Sequence, residues 1–260
     1  MPAQTTSMRR CTFAAMLFLA ASPALAQSHA QQGSAPAPQA QAFDAIRGPF
    51  GPPAIPPKAE DLAKLYKDMA PLSAYLGKDE ADEVAFARTA APRKIADDAE
   101  ILAFDANGYH RAAAGKNGWT CLVQRSWSDN FSDPEFWNPR VRVPVCFNPA
   151  ATRTVLPVYL ERTQWALAKR SLAGVMAMAK THPVPDPERG SFAIMMSKQG
   201  YATDTVGTFG PHMMVFMPNV PPETWGAGLD GVPLAAAPGD KPSITIFFFG
   251  ARNWSDGSAR

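Results

Sequence analysis

Histidine is the side chain best suited to moving protons near neutral pH, and three stand outside the N-terminal tract: His110, His182 and His212. His182 opens a proline-rich run, where its cation would suit the C-terminal end of a helix. His110 alternates within a strand-like segment and is read as facing solvent. His212, in Gly210-Pro211-His212, stands at the entrance of the apolar stretch 213–217 and is the histidine best placed to act. Just upstream, Ser197-Lys198-Gln199-Gly200-Tyr201 sets a hydroxyl beside an amine, the pairing of a nucleophile and a base. Neighbouring residues of an extended chain point to opposite faces, so the two do not naturally converge on one substrate atom. A polar turn after a buried strand explains the same residues.

Tryptophan supplies the other candidate chemistry. Trp137, within the Asn- and Asp-rich stretch 130–138, and Trp254, in Trp254-Ser255-Asp256-Gly257, could stack on a sugar ring; filling a core is the plainer use. The motifs of known catalytic classes are missing: there is no G-x-S-x-G elbow, H-E-x-x-H, S-x-x-K or P-loop, and no G-x-G-x-x-G opens a helix. The acidic pairs Asp79-Glu80 and Asp97-Asp98 suit caps and turns, since adjacency does not place two carboxylates across a scissile bond. No metal site or cofactor is expected.

The elements that must hold these residues follow from periodicity and punctuation. Leu62, Leu65 and Met69 predict a helix ended by Pro71, and acids near residue 79 predict a second helix to about residue 89. Three short strands follow, near 100–104, 109–113 and 119–123, separated by Asn107-Gly108 and Asn117-Gly118; this reads as a meander. Residues 126–149 read as a loop and 157–180 as the longest helix. Further strands are predicted at 192–196, 213–217 and 244–249, the last two separated by a Pro/Gly-punctuated excursion. This order is not a regular β-α alternation. It predicts an α+β domain, mainly antiparallel, with helices on one face.

The N-terminus predicts export. Arg9-Arg10, an apolar core of roughly ten residues and Ser22-Pro23-Ala24-Leu25-Ala26 before Gln27 make a secretory signal over residues 1–26, cleaved between Ala26 and Gln27. The core is too short to span a bilayer, which needs about 20 apolar residues. Residues 27–57, rich in Gln, Ala, Pro and Gly, read as a flexible leader, and 58–260 as one globular domain. Loss of two arginines with the signal takes the formal charge from +2 to zero, so no broad attraction for nucleic acid or anionic membrane is expected. Cys11 leaves too, and the remaining Cys121 and Cys146 should pair in an oxidising compartment. The expected product is a soluble periplasmic or secreted protein that binds a small ligand or an envelope component, with a hydrolase at His212 and residues 197–201 as the alternative.

Several stretches together resemble a family of uncharacterised exported bacterial proteins. They are Gly115-Lys116-Asn117-Gly118-Trp119-Thr120-Cys121-Leu122-Val123, Asp133-Pro134-Glu135-Phe136-Trp137-Asn138-Pro139, Val145-Cys146-Phe147-Asn148-Pro149, Met195-Met196-Ser197-Lys198-Gln199-Gly200-Tyr201, Pro211-His212-Met213-Met214 and Trp254-Ser255-Asp256-Gly257. The likeness spans roughly residues 80–257 and both cysteines fit its pattern. It implies topology and no chemistry, because the family carries no assigned activity. Where the family shows Gly-His-Trp-His before the Pro-His, this chain has Gly207-Thr208-Phe209-Gly210. A multi-histidine centre is therefore not expected at His212.

Overall fold

The first hairpin forms where its turn residues predict it. In the computed structural model, which describes residues 57–218, 220–227, 229, 235–238 and 244–260, β1 (Glu100–Asp105) pairs antiparallel with β2 (Gly108–Ala113). Asp105 accepts the Asn107 amide at 2.7 Å, and Gly108 takes a φ of 108° that glycine tolerates freely. The signal segment, its cleavage site and the leader up to residue 56 lie outside the described residues.

The second Asn-Gly does different work. β3 (Thr120–Gln124) does not extend a meander; it lies on the far side of β1 and parallel to it. The connection must therefore cross the start of β1. Amides of Lys116 and Asn117 donate to the Asp98 carbonyl, and the Asn117 side chain donates to the Ile95 carbonyl at 2.8 Å. The crossing is so close that a Cβ on Gly115 would sit 2.2 Å from the Glu100 nitrogen. A glycine here permits backbone-to-backbone approach, which a hairpin reading of the same residues misses.

β4 (Val143–Phe147) falls inside the stretch predicted as loop. It pairs antiparallel with β3 along its length, with Cys121 opposite Cys146. The two form a fully buried disulfide, which ties two neighbouring strands rather than a loop end. Pro144 hides this strand from sequence reading, because proline removes a ladder donor. It lies outside the short β4–β5 pairing at Cys146 and Phe147, so no rung there is lost. The chain continues through α4 (Pro149–Thr154), β5 (Phe192–Met195), β6 (His212–Pro218), β7 (Ala235–Pro238) and β8 (Ile244–Gly250). Among the described residues the sheet has eight strands in the order β2-β1-β3-β4-β5-β6-β8-β7, antiparallel at every pairing except β1–β3.

Of the remaining helices, α1 (Ala59–Leu65) is shorter than predicted. Leu62 is buried but Leu65 is 66% exposed, and the chain leaves the helix so that Tyr66 and Met69 reach an aromatic core. α2 (Glu80–Arg88) starts at Asp79, whose carboxylate caps the Asp82 amide, and the short α3 (Arg93–Ala96) follows it. The expected single helix over 157–180 is two: α5 (Leu156–Lys169) ends at Arg170 in the left-handed region, and Ser171 caps α6 (Leu172–Thr181).

The helices cover both faces of the sheet, not one as expected. Ala87 of α2 and Ala96 of α3 pack with Ile101, Cys121, Val123 and Cys146, while α4 and α5 pack with Leu102, Leu122, Val145 and Phe147. Alternate residues of a strand face opposite ways, so these are the two sides of one sheet. A third cluster joins Tyr75, Phe104, Trp127, Phe136 and Trp137 to α5 and α6. Among the described residues, no helix is long and apolar enough to cross a membrane.

Candidate functional site

β6 begins with His212, which points its ring into the same face as Met214 and Phe216. The ring is 1% exposed, lies between Phe209 and Phe248, and is held through Nδ1 by the Gly210 carbonyl at 2.7 Å. Burial lowers its pKa to about 4, so it is neutral at physiological pH. Ser197 shares a recess with it, lined also by Pro144, Met195, Gly200, Thr208 and Phe209, but the space is about 10 Å³, enough for a single water at most.

The other predicted residues of this centre diverge. Ser197 is 7% exposed; its Oγ lies 2.7 Å from the Thr89 Oγ1 at the end of α2 and accepts the Gln199 amide. Lys198 turns outward to Asp256 at 2.8 Å. Tyr201 donates its hydroxyl to Asp204 at 2.7 Å and lies under the Arg140 guanidinium. Nucleophile, base and acid thus have separate partners and converge on no common atom. His110 of β2 bonds Glu80 of α2, and His182 bonds the Met178 carbonyl of α6, so neither lies with His212. No group of three or more potential metal ligands assembles among the described residues.

Both candidate sugar-stacking rings are inside the protein. Trp137 is 1% exposed, edge-on to Phe136, and Trp254 is 3% exposed. This is the plainer of the two uses expected of them, and for Trp137 an aromatic cluster supplies the enclosure despite its polar neighbours in sequence.

Two polar networks carry no sequence signal at all, because their members meet only in three dimensions. In one, the fully buried Arg125 donates to Glu83 at 2.9 Å and to the carbonyls of Tyr75 and Val123, while Arg142 reaches the other Glu83 oxygen at 2.7 Å. The approach leaves no room at Gly77, where a Cβ would lie 2.6 Å from Glu83 Oε2. In the other, Asp204 accepts from Tyr66, Asn138, Arg140 and Tyr201. Burial opposes ionisation of Asp204, but these donors outweigh it and hold the carboxyl below its usual range. Glu135 accepts the Asp204 amide and the Asn138 side chain, yet burial still pushes its carboxyl up, and burial with the Asp204 bond pushes Tyr66 up to about 12. Each carboxylate is occupied by the chain's own donors. The arrangement ties residue 66, the stretch 135–140 and the turn at 203–207 together.

A second recess is roomier. Phe216 of β6 and Ile246 of β8 are direct partners, and with Ile244 they make its floor. Val155, Val158 and Tyr159 form a wall from the start of α5, and Val184 closes another side. Ser128, Asn130 and Arg162 are grouped at one end, since Arg162 Nη1 donates to the carbonyls of Ser128 and Asp129 at 3.3 and 2.7 Å. The space is about 70 Å³. Tyr159, Asn130 and Val158 are half-buried, so the recess reaches solvent. Sequence reading missed it because its lining comes from five separated stretches and consists mainly of ordinary core residues.

No protein-family model matches the chain, and neither the curated proteins nor the solved structures contain a significant match to it.

Proposed function

We propose that the protein is an exported, non-catalytic ligand-binding domain of the cell envelope. The observation that carries this reading is the apolar pocket between α5 and the β6–β8 floor, which has room and a polar end but no titratable pair suited to bond cleavage. The buried Cys121–Cys146 disulfide is in keeping with an oxidising compartment and so with removal of residues 1–26 before Gln27. The neutral formal charge left after that removal suits a small ligand or envelope component better than nucleic acid.

The alternative, a periplasmic or secreted hydrolase built on His212 with residues 197–201, draws its support from the recess that Ser197 and His212 share. Purification from a bacterial envelope fraction separates the two readings. Native mass spectrometry should show a chain beginning at Gln27, with oxidised cysteines and a bound small molecule, and a panel of ester, amide and glycoside substrates should remain intact. Turnover of any of them that disappears in His212→Gln would favour the hydrolase and end the binding reading.

A further inference from the structure

We infer that the pocket takes the end of an uncharged or weakly polar aliphatic chain of about two to three carbons, with a hydrogen-bonding head held near Ser128, Asn130 and Arg162. The inference rests on the binding reading above and adds the class of ligand. Size sets the tail: a dry cavity of about 150 Å³ admits a benzene ring, so a space of about 70 Å³ accepts something slimmer. Chemistry agrees, because the floor of Phe216, Ile244 and Ile246 and the wall of Val155, Val158 and Tyr159 are apolar apart from the Tyr159 hydroxyl. The head follows from the opposite end. Ser128 and Asn130 are half-buried polar side chains there, and the 7% exposed Arg162 lies over Phe131 while it binds backbone carbonyls. An alcohol, amide or ester oxygen at that end keeps its hydrogen bonding, whereas an alkane end would leave polar groups desolvated.

The test uses the full mature chain with labelled Ile and Val methyls and a series of straight-chain alcohols from methanol to octanol. Methyls of Val158, Ile244 and Ile246 should shift saturably, with affinity rising about fourfold per added methylene and levelling off near propanol once the pocket is full. Val158→Trp fills a half-buried position of the wall and should weaken propanol binding at least about tenfold with the native methyl spectrum retained elsewhere; Val158→Ala should move the plateau to a longer chain. Affinity that keeps climbing to octanol, shifts confined to other methyls, or no saturable shift would overturn the inference. If the alcohols fail but a mass co-purified from envelope extract is lost in Val158→Trp, the ligand class is wrong and the binding reading stands. If both signals are missing, both fall.

Discussion

Two recesses open off the same face of β6, one at His212 near its start and one at Phe216 near its end, and they divide chemistry from access. The first gathers a histidine, a serine and a threonine but has about 10 Å³ of space beside Phe209. The second has about 70 Å³ and a mainly apolar lining, with Ser128, Asn130 and Arg162 gathered at one end. Residue types that can do chemistry are therefore satisfied internally, and the place a ligand can enter is built from core residues. Reactive side chains count only where a substrate can reach them.

The largest effect that could break this contrast concerns His212. Its folded pKa of about 4 lies below the ordinary 6.5, so the fold favours the neutral ring. Its contribution is intact above pH 6.5 and is lost as pH falls towards 4, a window worth about 3 kcal/mol. The urea stability of the native protein should fall over that range by about this much more than that of His212→Gln. Equal pH dependence in the two would mean that the histidine is protonated within the fold, and that the first recess is open.

A smaller effect is expected from the clamp that holds the turn above His212. Asp204→Ala removes the acceptor for Tyr66, Asn138, Arg140 and Tyr201 and should cost about 2 kcal/mol, with faster amide exchange over residues 201–210. Alcohol binding at the second recess should be unaffected, since none of these residues lines it. Loss of binding in this variant would show that the two recesses are coupled.

Ser197→Ala gives up the bond to Thr89 and should cost about 1 kcal/mol without touching ligand affinity. Any loss of a hydrolytic activity in this variant would reverse the assignment of the first recess. Lys198→Met breaks only an exposed pair with Asp256 and should change the urea midpoint by the equivalent of less than about 0.5 kcal/mol. A larger change would mark Lys198 as part of something more than a surface contact.

Local chemistry explains which parts of the fold were legible. The β1–β2 turn needs only Asn107-Gly108, and α2 needs only its Asp79 cap and a proline beyond its end, so each can be read where it stands. The second Asn-Gly looked identical, yet Gly115 crosses the start of β1 and sends β3 to the opposite side. Likewise the break at Arg170 and Ser171 is set by one left-handed residue and one cap inside an otherwise helical run. Of the candidate site residues, position in the chain was right for the entrance of β6 and core filling was the plainer reading of Trp137 and Trp254, but which groups would enclose these rings or His212 was not legible. Burial depends on what arrives from elsewhere: Phe248 from β8, Phe209 from the turn, Trp127 from a stretch ten residues away.

By itself the sequence determined the elements whose signals are local, a mainly antiparallel α+β composition, and the pairing of two cysteines once a third is set aside with the N-terminal segment. Tertiary structure alone decided the parallel β1–β3 contact, the cover on both faces, and the buried partners Glu83, Arg125 and Arg142. It also decided which recess admits a ligand. The reason is that propensity, caps and turns act over a few residues, whereas burial and pocket shape are properties of surfaces brought together from distant parts of the chain.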